Sequence, residues 1–309
     1  MTSSSGTSGS VTPLRAWILV AVAVTGVSSS GPITAGTLAP VIAIVFWRNL
    51  AGAGVSGIWA LFRDRNGFRR MNWRITGLAI LSGLVLAAHF TSWFASLRMT
   101  SVAASTALVS TTPVFLVAFD LARQVAVPRA VLIGVGVSMA GVVAITGVDA
   151  GRSREALAGD ALALFAAAAV AVYMLAGTKV MRYTTPAIYT LIAYSACAAV
   201  MLPAAALTHT PLHGFSTRTW IEIAVVTVGA QVLGHTLFNV TLPVVGATPL
   251  ALAILLEVPG ASLLAWAWLG EAPPLAVVPG ALLMLLGLVI VTRARATREP
   301  AEVTETGAP

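Results

Sequence analysis

The chain has 309 residues, of which 58% are hydrophobic and only 9% charged, and its mean hydropathy is +0.91. That composition excludes a water-soluble globular domain, because a helix needs only about 20 apolar residues to cross a hydrocarbon core and this chain is nearly filled with such runs. The net charge of +7 is first a matter of membrane topology, so nucleic acid is not expected as a partner. Cys197, the single cysteine, excludes an intrachain disulfide and a cysteine-based metal site.

In chain order, residues 1–13 are rich in Ser, Thr and Gly, lack the basic start of a signal peptide, and read as a disordered cytoplasmic tail. Ten apolar segments follow, at 14–31, 38–62, 75–97, 100–121, 129–148, 159–179, 186–207, 217–241, 247–269 and 274–293. The polar stretch 149–158 divides them into five and five as an outer connecting loop, and the acidic 294–309 reads as a second disordered cytoplasmic tail. With both ends inside, Arg15, Arg63, Arg65, Arg69, Arg70, Arg74, Arg123, Arg129, Lys179, Arg182, Arg293, Arg295 and Arg298 fall on the cytoplasmic side. Only Arg98, Arg152, Arg154 and Arg218 fall outside, and Arg48 stays within a span, which selects this orientation. Arginine outnumbers lysine 17 to 1, a bias expected of a GC-rich bacterial genome, so the chain is placed in a bacterial inner membrane as a multi-pass protein.

The two halves superimpose when residue i is laid on residue i+146 without a gap. Gly31 falls on Gly177, Pro40 on Pro186, Gly83 on Gly229, His89 on His235, Pro113 on Pro259, Gly134 on Gly280 and Gly141 on Gly287. An odd number of spans in each half inverts the second relative to the first. The expected fold is therefore all-α and integral to the membrane: ten transmembrane helices, as two inverted five-helix repeats (14–148 and 159–293) around a central cavity. Inverted repeats of this kind give secondary transporters two exchangeable conformations around a site near the midplane.

Polar side chains inside the spans are the candidates for that site, since a charge at mid-bilayer costs about 2.5–3.5 kcal/mol on insertion scales. Glu257 precedes Pro259, whose missing N–H disrupts the helix and frees carbonyls. Its repeat mate is Thr111, beside Ser110. Gln231, His235 and Asn239 are spaced by four and make one helical stripe. His89 and Trp93 have the same spacing in the third segment, and Tyr173 adds a hydroxyl from the sixth. Arg48 has three open readings: snorkelling, pairing with Glu257, or holding a substrate carboxylate. Histidines so placed also serve as interhelical packing groups, and a coupling proton is physically accessible to a group with an ordinary pKa near 6.5. The glycine faces of the fifth and tenth segments read as packing surfaces and as a contact for a homo-oligomer. Trp47, Trp93, Trp266 and Trp268 are stacking or anchoring candidates. His209 and His213 have metal-like spacing, but Pro211 between them opposes a shared helical face, and no metal or other cofactor is expected. The sequence carries no phosphate-binding G-x-x-x-x-G-K-[ST] run, so ATP is not the expected energy source.

The five-plus-five organisation, the run A-S-T-A-L-V-S-T-T-P-V-F from Ala104 to Phe115, G-H-T-L-F-N from Gly234 to Asn239, and L-E-V-P-G-A followed by L-G-E in the ninth segment resemble the EamA-type family of the drug/metabolite transporter superfamily. The resemblance covers about residues 14–293. It implies a cavity lined by segments one, three, four, six, eight and nine, with five and ten peripheral. It also implies alternating access and export of amino acids, related polar or amphipathic metabolites, or drugs. One departure is that Gln124 and Val125 stand opposite Gly270 and Glu271, so the first half lacks the matching carboxylate. The competing readings are an enzyme embedded in the membrane that acts on a lipid-linked substrate, and a ligand-binding sensor or partner subunit. Nucleotide-sugar exchange is the nearest rival substrate class, with Arg48 alone to meet a pyrophosphate.

Overall fold

A computed structural model describes residues 12–146, 153–273 and 275–296. Those residues form helices α1 (Pro13–Ser28), α2 (Ser30–Gly36), α3 (Val41–Arg63), α4 (Trp73–Ser96), α5 (Val102–Val109), α6 (Thr112–Ala122), α7 (Arg129–Thr146), α8 (Arg154–Val180), α9 (Pro186–Leu207) and α10 (Thr217–Val226). A π-helical stretch, Thr227–Thr236, leads into α11 (Leu237–Val245), and α12 (Ala247–Ile254), α13 (Glu257–Leu269) and α14 (Val277–Ala296) complete the chain. No strand occurs among the described residues. Nine helical stretches among them are long and apolar enough to cross a membrane, and a tenth apolar helix, Arg129–Ile145, is shorter. Most of the expected tails, 1–11 and 297–309, and residues 149–152 of the connecting loop lie outside the described residues. The rest of that loop differs from expectation: Ser153 caps α8 by accepting from the Ala156 N–H, so residues 154–158 are helical.

Helix ends and breaks follow from particular residues. Asn72, Ser101 and Ser216 each accept a backbone N–H three residues on and start α4, α5 and α10. A proline ring clashes with the carbonyl four residues earlier and supplies no N–H. For Pro113 that carbonyl belongs to Val109, the last residue of α5; for Pro259 it belongs to Leu255, just beyond α12. Both spans are thus interrupted in mid-course, at Ser110–Thr111 and at Leu255–Leu256.

Close approach of helices uses small residues, as is usual where lipid supplies no hydrophobic drive between helices. Helices α7 and α14 pack with Gly134 against the Gly287 backbone and Gly141 against that of Gly280, while Ser138 donates to the Met284 carbonyl at 3.3 Å. These glycine faces are therefore used within the chain, in keeping with their reading as packing surfaces. Helix α1 lies on the π-helical stretch through Gly26 and Gly229, and α3 meets α9 through Thr190 donating to Ser56 at 2.8 Å. The perimeter carries exposed Ile58, Phe62, Leu81, Trp266 and Trp268, the apolar surface that acyl chains solvate.

Candidate functional site

The fourth and ninth spans place their breaks beside a small cavity of about 40 Å³. His89 and Trp93 reach it from α4, and Ser110 and Thr112 from the break between α5 and α6. Val170 and Met174 of α8, His235 of the π-helical stretch, Phe238 of α11, Ala251 and Ile254 of α12, and Glu257 at the start of α13 also line it. The structure thus brings together five of the ten expected site residues: Glu257, His235, His89, Trp93 and Ser110.

Their polar atoms are set in a mainly apolar wall. His89 Nδ1 lies 2.9 Å from the Ala166 carbonyl; because a carbonyl only accepts, the ring is protonated on Nδ1 and Nε2 is left as an acceptor. The His89 ring stacks on Trp93 at 5.9 Å and meets His235 edge-on at 6.5 Å, with Phe90 5.0 Å from His235. Three lining groups, Trp93 Nε1, Ser110 Oγ and Glu257 Oε1, are buried with no hydrogen-bond partner in the protein. An unpaired buried polar atom costs about 1–3 kcal/mol, more for a charged group. A donor and a carboxylate left so around one cavity are matched to a polar occupant.

Arg48 lies outside the cavity lining. Its guanidinium is fully buried, donates from Nε to Gln231 Oε1 at 2.9 Å and from Nη1 to Ser30 Oγ at 3.3 Å, and sits 4.1 Å above the Phe90 ring. Nη2 has no partner. Arg48 therefore neither snorkels nor forms an ion pair with Glu257.

Four other expected residues are also displaced from the cavity. Gln231 is spent between Arg48 and Asn49. Asn239 donates to the Tyr173 hydroxyl at 2.9 Å and to that of Tyr194 at 3.3 Å, so it and Tyr173 belong to a buried hydroxyl cluster continued by Tyr189 and Ser82. Thr111 donates back to the Leu108 carbonyl, and its neighbour Thr112 lines the wall instead. The π-helical stretch explains part of this. Its extra residue per turn breaks the four-residue stacking of an α-helix, so Gln231, His235 and Asn239 serve three different neighbourhoods. None of the lining residues comes from α1 or α2, although the first segment was expected to contribute. Among the tryptophans, Trp47 donates to the Leu212 carbonyl and packs on Trp220, whereas Trp266 and Trp268 face outward. Met174 and Val170, missed in the sequence, carry no signal that separates them from ordinary apolar helix positions.

The described residues thus form a bundle of apolar helices long enough to cross a membrane, with the fourth and ninth spans broken beside a cavity that Glu257 lines. The sequence matches the EamA-like transporter family over residues 14–147 and again over 157–293. The chain belongs to that family, whose members move small molecules across membranes. A solved structure titled "Crystal structure of protein" superimposes with a TM-score of 0.71 at 19% identity, over 93% of this chain and all of the other, which shows a shared fold. Comparison with curated proteins finds no match.

Proposed function

We propose that the chain is a secondary transporter that exports small polar or amphipathic compounds, amino acids or related metabolites or drugs, by alternating access from a bacterial inner membrane with both termini cytoplasmic. The observation that carries this reading is the unpartnered Glu257 carboxylate oxygen in a cavity shared with the unpartnered Trp93 and Ser110 donors and acceptors. Glu257 receives a cationic or proton-donating group of the substrate, or the coupling proton in its absence. His89 and Trp93 present a stacked face to its apolar part. A cavity of this size holds a few waters but no metabolite, so a substrate would require the site to widen.

The ten-span inverted repeat is supported by where mates meet. His89 and His235, matched in sequence, have rings 6.5 Å apart at the cavity, and of the three interrupted spans the fourth and ninth are mates, while the break at Ser29 in the first span has no counterpart in α8. Gly134 meets the mate of Gly141, and Gly141 the mate of Gly134, the crossed pattern of a pseudo-twofold axis. Helix α1 leans on the π-helical stretch as α8 leans on α4, again in mated positions. Family membership favours transport over the enzyme and sensor readings.

Uptake by everted vesicles across a metabolite panel tests the proposal, comparing wild type with Glu257→Gln at equal membrane levels, with and without a collapsed proton gradient. A transported compound should lose roughly ten-fold or more in rate in the variant, the factor that a lost charge-assisted hydrogen bond of about 1.5 kcal/mol sets. Normal transport by Glu257→Gln would remove the carboxylate from the mechanism, and gradient independence would remove the coupling proton.

A further inference from the structure

A second concavity, of about 580 Å³, opens at the end of the bundle where α6 and α8 terminate, between those helices and α4. It is not continuous in lining with the central cavity: on α8, Val170 and Met174 face the centre, while Val172, Leu175, Ala176 and Lys179 form the opposite stripe. Its inner wall is apolar, built by Leu78, Phe119, Val172 and Leu175, and Val172 is exposed on the perimeter. Its rim carries three cations, Arg123, Lys179 and Arg182, against the single carboxylate of Asp120. Among the described residues none of these four charges has an ion-pair partner. Tyr183, half exposed, stands beside them with an apolar ring and a polar tip, as suits a headgroup boundary.

Cations at helix C-termini are explained in part by the helix dipole and by the rule that sets topology. Neither accounts for three unpaired cations gathered over an apolar wall that reaches the surface at Val172. A soluble anion would need the rim but not the apolar wall; a protein partner would need a wider exposed face. We propose that this cleft is a binding site for an anionic phospholipid. Its headgroup phosphate lies between Arg123, Lys179 and Arg182, and its acyl chains run along Leu78, Phe119 and Val172. The site rests on the bundle spanning a bilayer with this end in the cytoplasmic leaflet, and it does not depend on the transport reaction. A lipid held there would brace α4 against α6 and α8, the helices that carry His89, Thr112 and Met174 to the central cavity.

Native mass spectrometry of the purified full-length protein in detergent tests this, with dioleoyl phosphatidylglycerol or dioleoyl phosphatidylcholine added. Wild type should hold phosphatidylglycerol at least about five-fold more tightly, since each cation near an anionic surface contributes about that factor. Arg123→Gln, Lys179→Gln and Arg182→Gln should each lower the preference, and the triple variant should erase it while phosphatidylcholine binding persists as a sign of folding. Arg69→Gln with Arg70→Gln removes two exposed cations from the same end of the bundle and should leave the preference intact. Equal binding of the two lipids by wild type overturns the proposal, as does an equal loss in the Arg69 and Arg70 control. Displacement of the lipid by millimolar inorganic phosphate overturns it as well, because the cleft would then be a site for a small anion. A protein that passes this test yet moves no solute leaves the lipid site standing and removes the transport reading instead.

Discussion

Arg48 shows how a residue that looks like a ligand in sequence becomes a keystone in space. Burying a guanidinium is tolerable only when hydrogen bonds and aromatic faces replace its water, and here Gln231, Ser30 and the Phe90 and Phe94 rings replace most of it, leaving Nη2 unpaired. Lysine offers a point charge in place of the planar fork and cannot keep both bonds and the stacking. Arg48→Lys is therefore expected to lower stability by about 1.5–3 kcal/mol, the worth of hydrogen bonds to a charged group, read as a fall in Tm of the detergent-solubilised protein. An unchanged Tm would mean that Arg48 is held by packing alone. Glu257 differs in degree: its buried Oε1, like Arg48 Nη2, has no partner, but no described side chain offers the carboxyl a bond comparable to those of Gln231 and Ser30, so Glu257→Gln should leave Tm unchanged or raised while transport falls. Both residues were legible as intramembrane charges. Which one the protein itself satisfies was not, because that depends on Gln231 and Ser30 arriving from distant segments. Between α4 and α5, Arg98 is partly buried and donates to the Ala39 carbonyl; burial pushes its pKa down from the usual arginine value.

Among elements, breaks were more legible than rotations. Pro113 and Pro259 mark the interruptions in the fourth and ninth spans because the clash of a proline ring with the preceding turn is local. The π-helical stretch has no such marker, and it decides which of Gln231, His235 and Asn239 faces the cavity. Glycines divide in the same way between those that crowd a neighbouring helix and those that face open space. A Cβ on Gly287 would press into Ser138 and the Gly134 carbonyl, whereas one on Gly136 would meet nothing within 4 Å. Gly287→Val should cost about 1–3 kcal/mol by overpacking the α7–α14 contact, and Gly136→Ala should be neutral or slightly stabilising. Thermal unfolding of both variants checks the contrast, and equal effects would show that α7 and α14 do not pack as described.

For the whole molecule, the uneven distribution of basic residues is the topological signal in the sequence, and it can be read out chemically. Cys197 is fully buried, so the native thiol should be silent to an impermeant maleimide and need not be removed. Arg218, whose side chain is 77% exposed beside Glu222, and Arg69 mark opposite ends of the bundle. Intact cells should label Arg218→Cys and not Arg69→Cys, and everted vesicles should do the reverse. The opposite pattern would invert the orientation and move the basic cleft to the outer leaflet.

Hydropathy, proline positions and the 146-residue offset are properties of the chain read along its length, and they were enough for the membrane class and most of the helical segments; the family came from the resemblance carried by the runs Ala104–Phe115, Gly234–Asn239 and Leu256–Ala261. The identity of the cavity wall is a property of neighbours. Glu257, His235, His89, Trp93 and Ser110 were recognisable as polar residues in apolar spans. Gln231, Asn239 and Tyr173 looked the same, yet they are consumed by Arg48, Asn49 and a tyrosine cluster contributed by other helices. A buried polar group must find a partner somewhere, and linear sequence does not say whether that partner is another helix or a ligand. Only the packing of α3 on the π-helical stretch, and of α8 and α9 on α11, decided it.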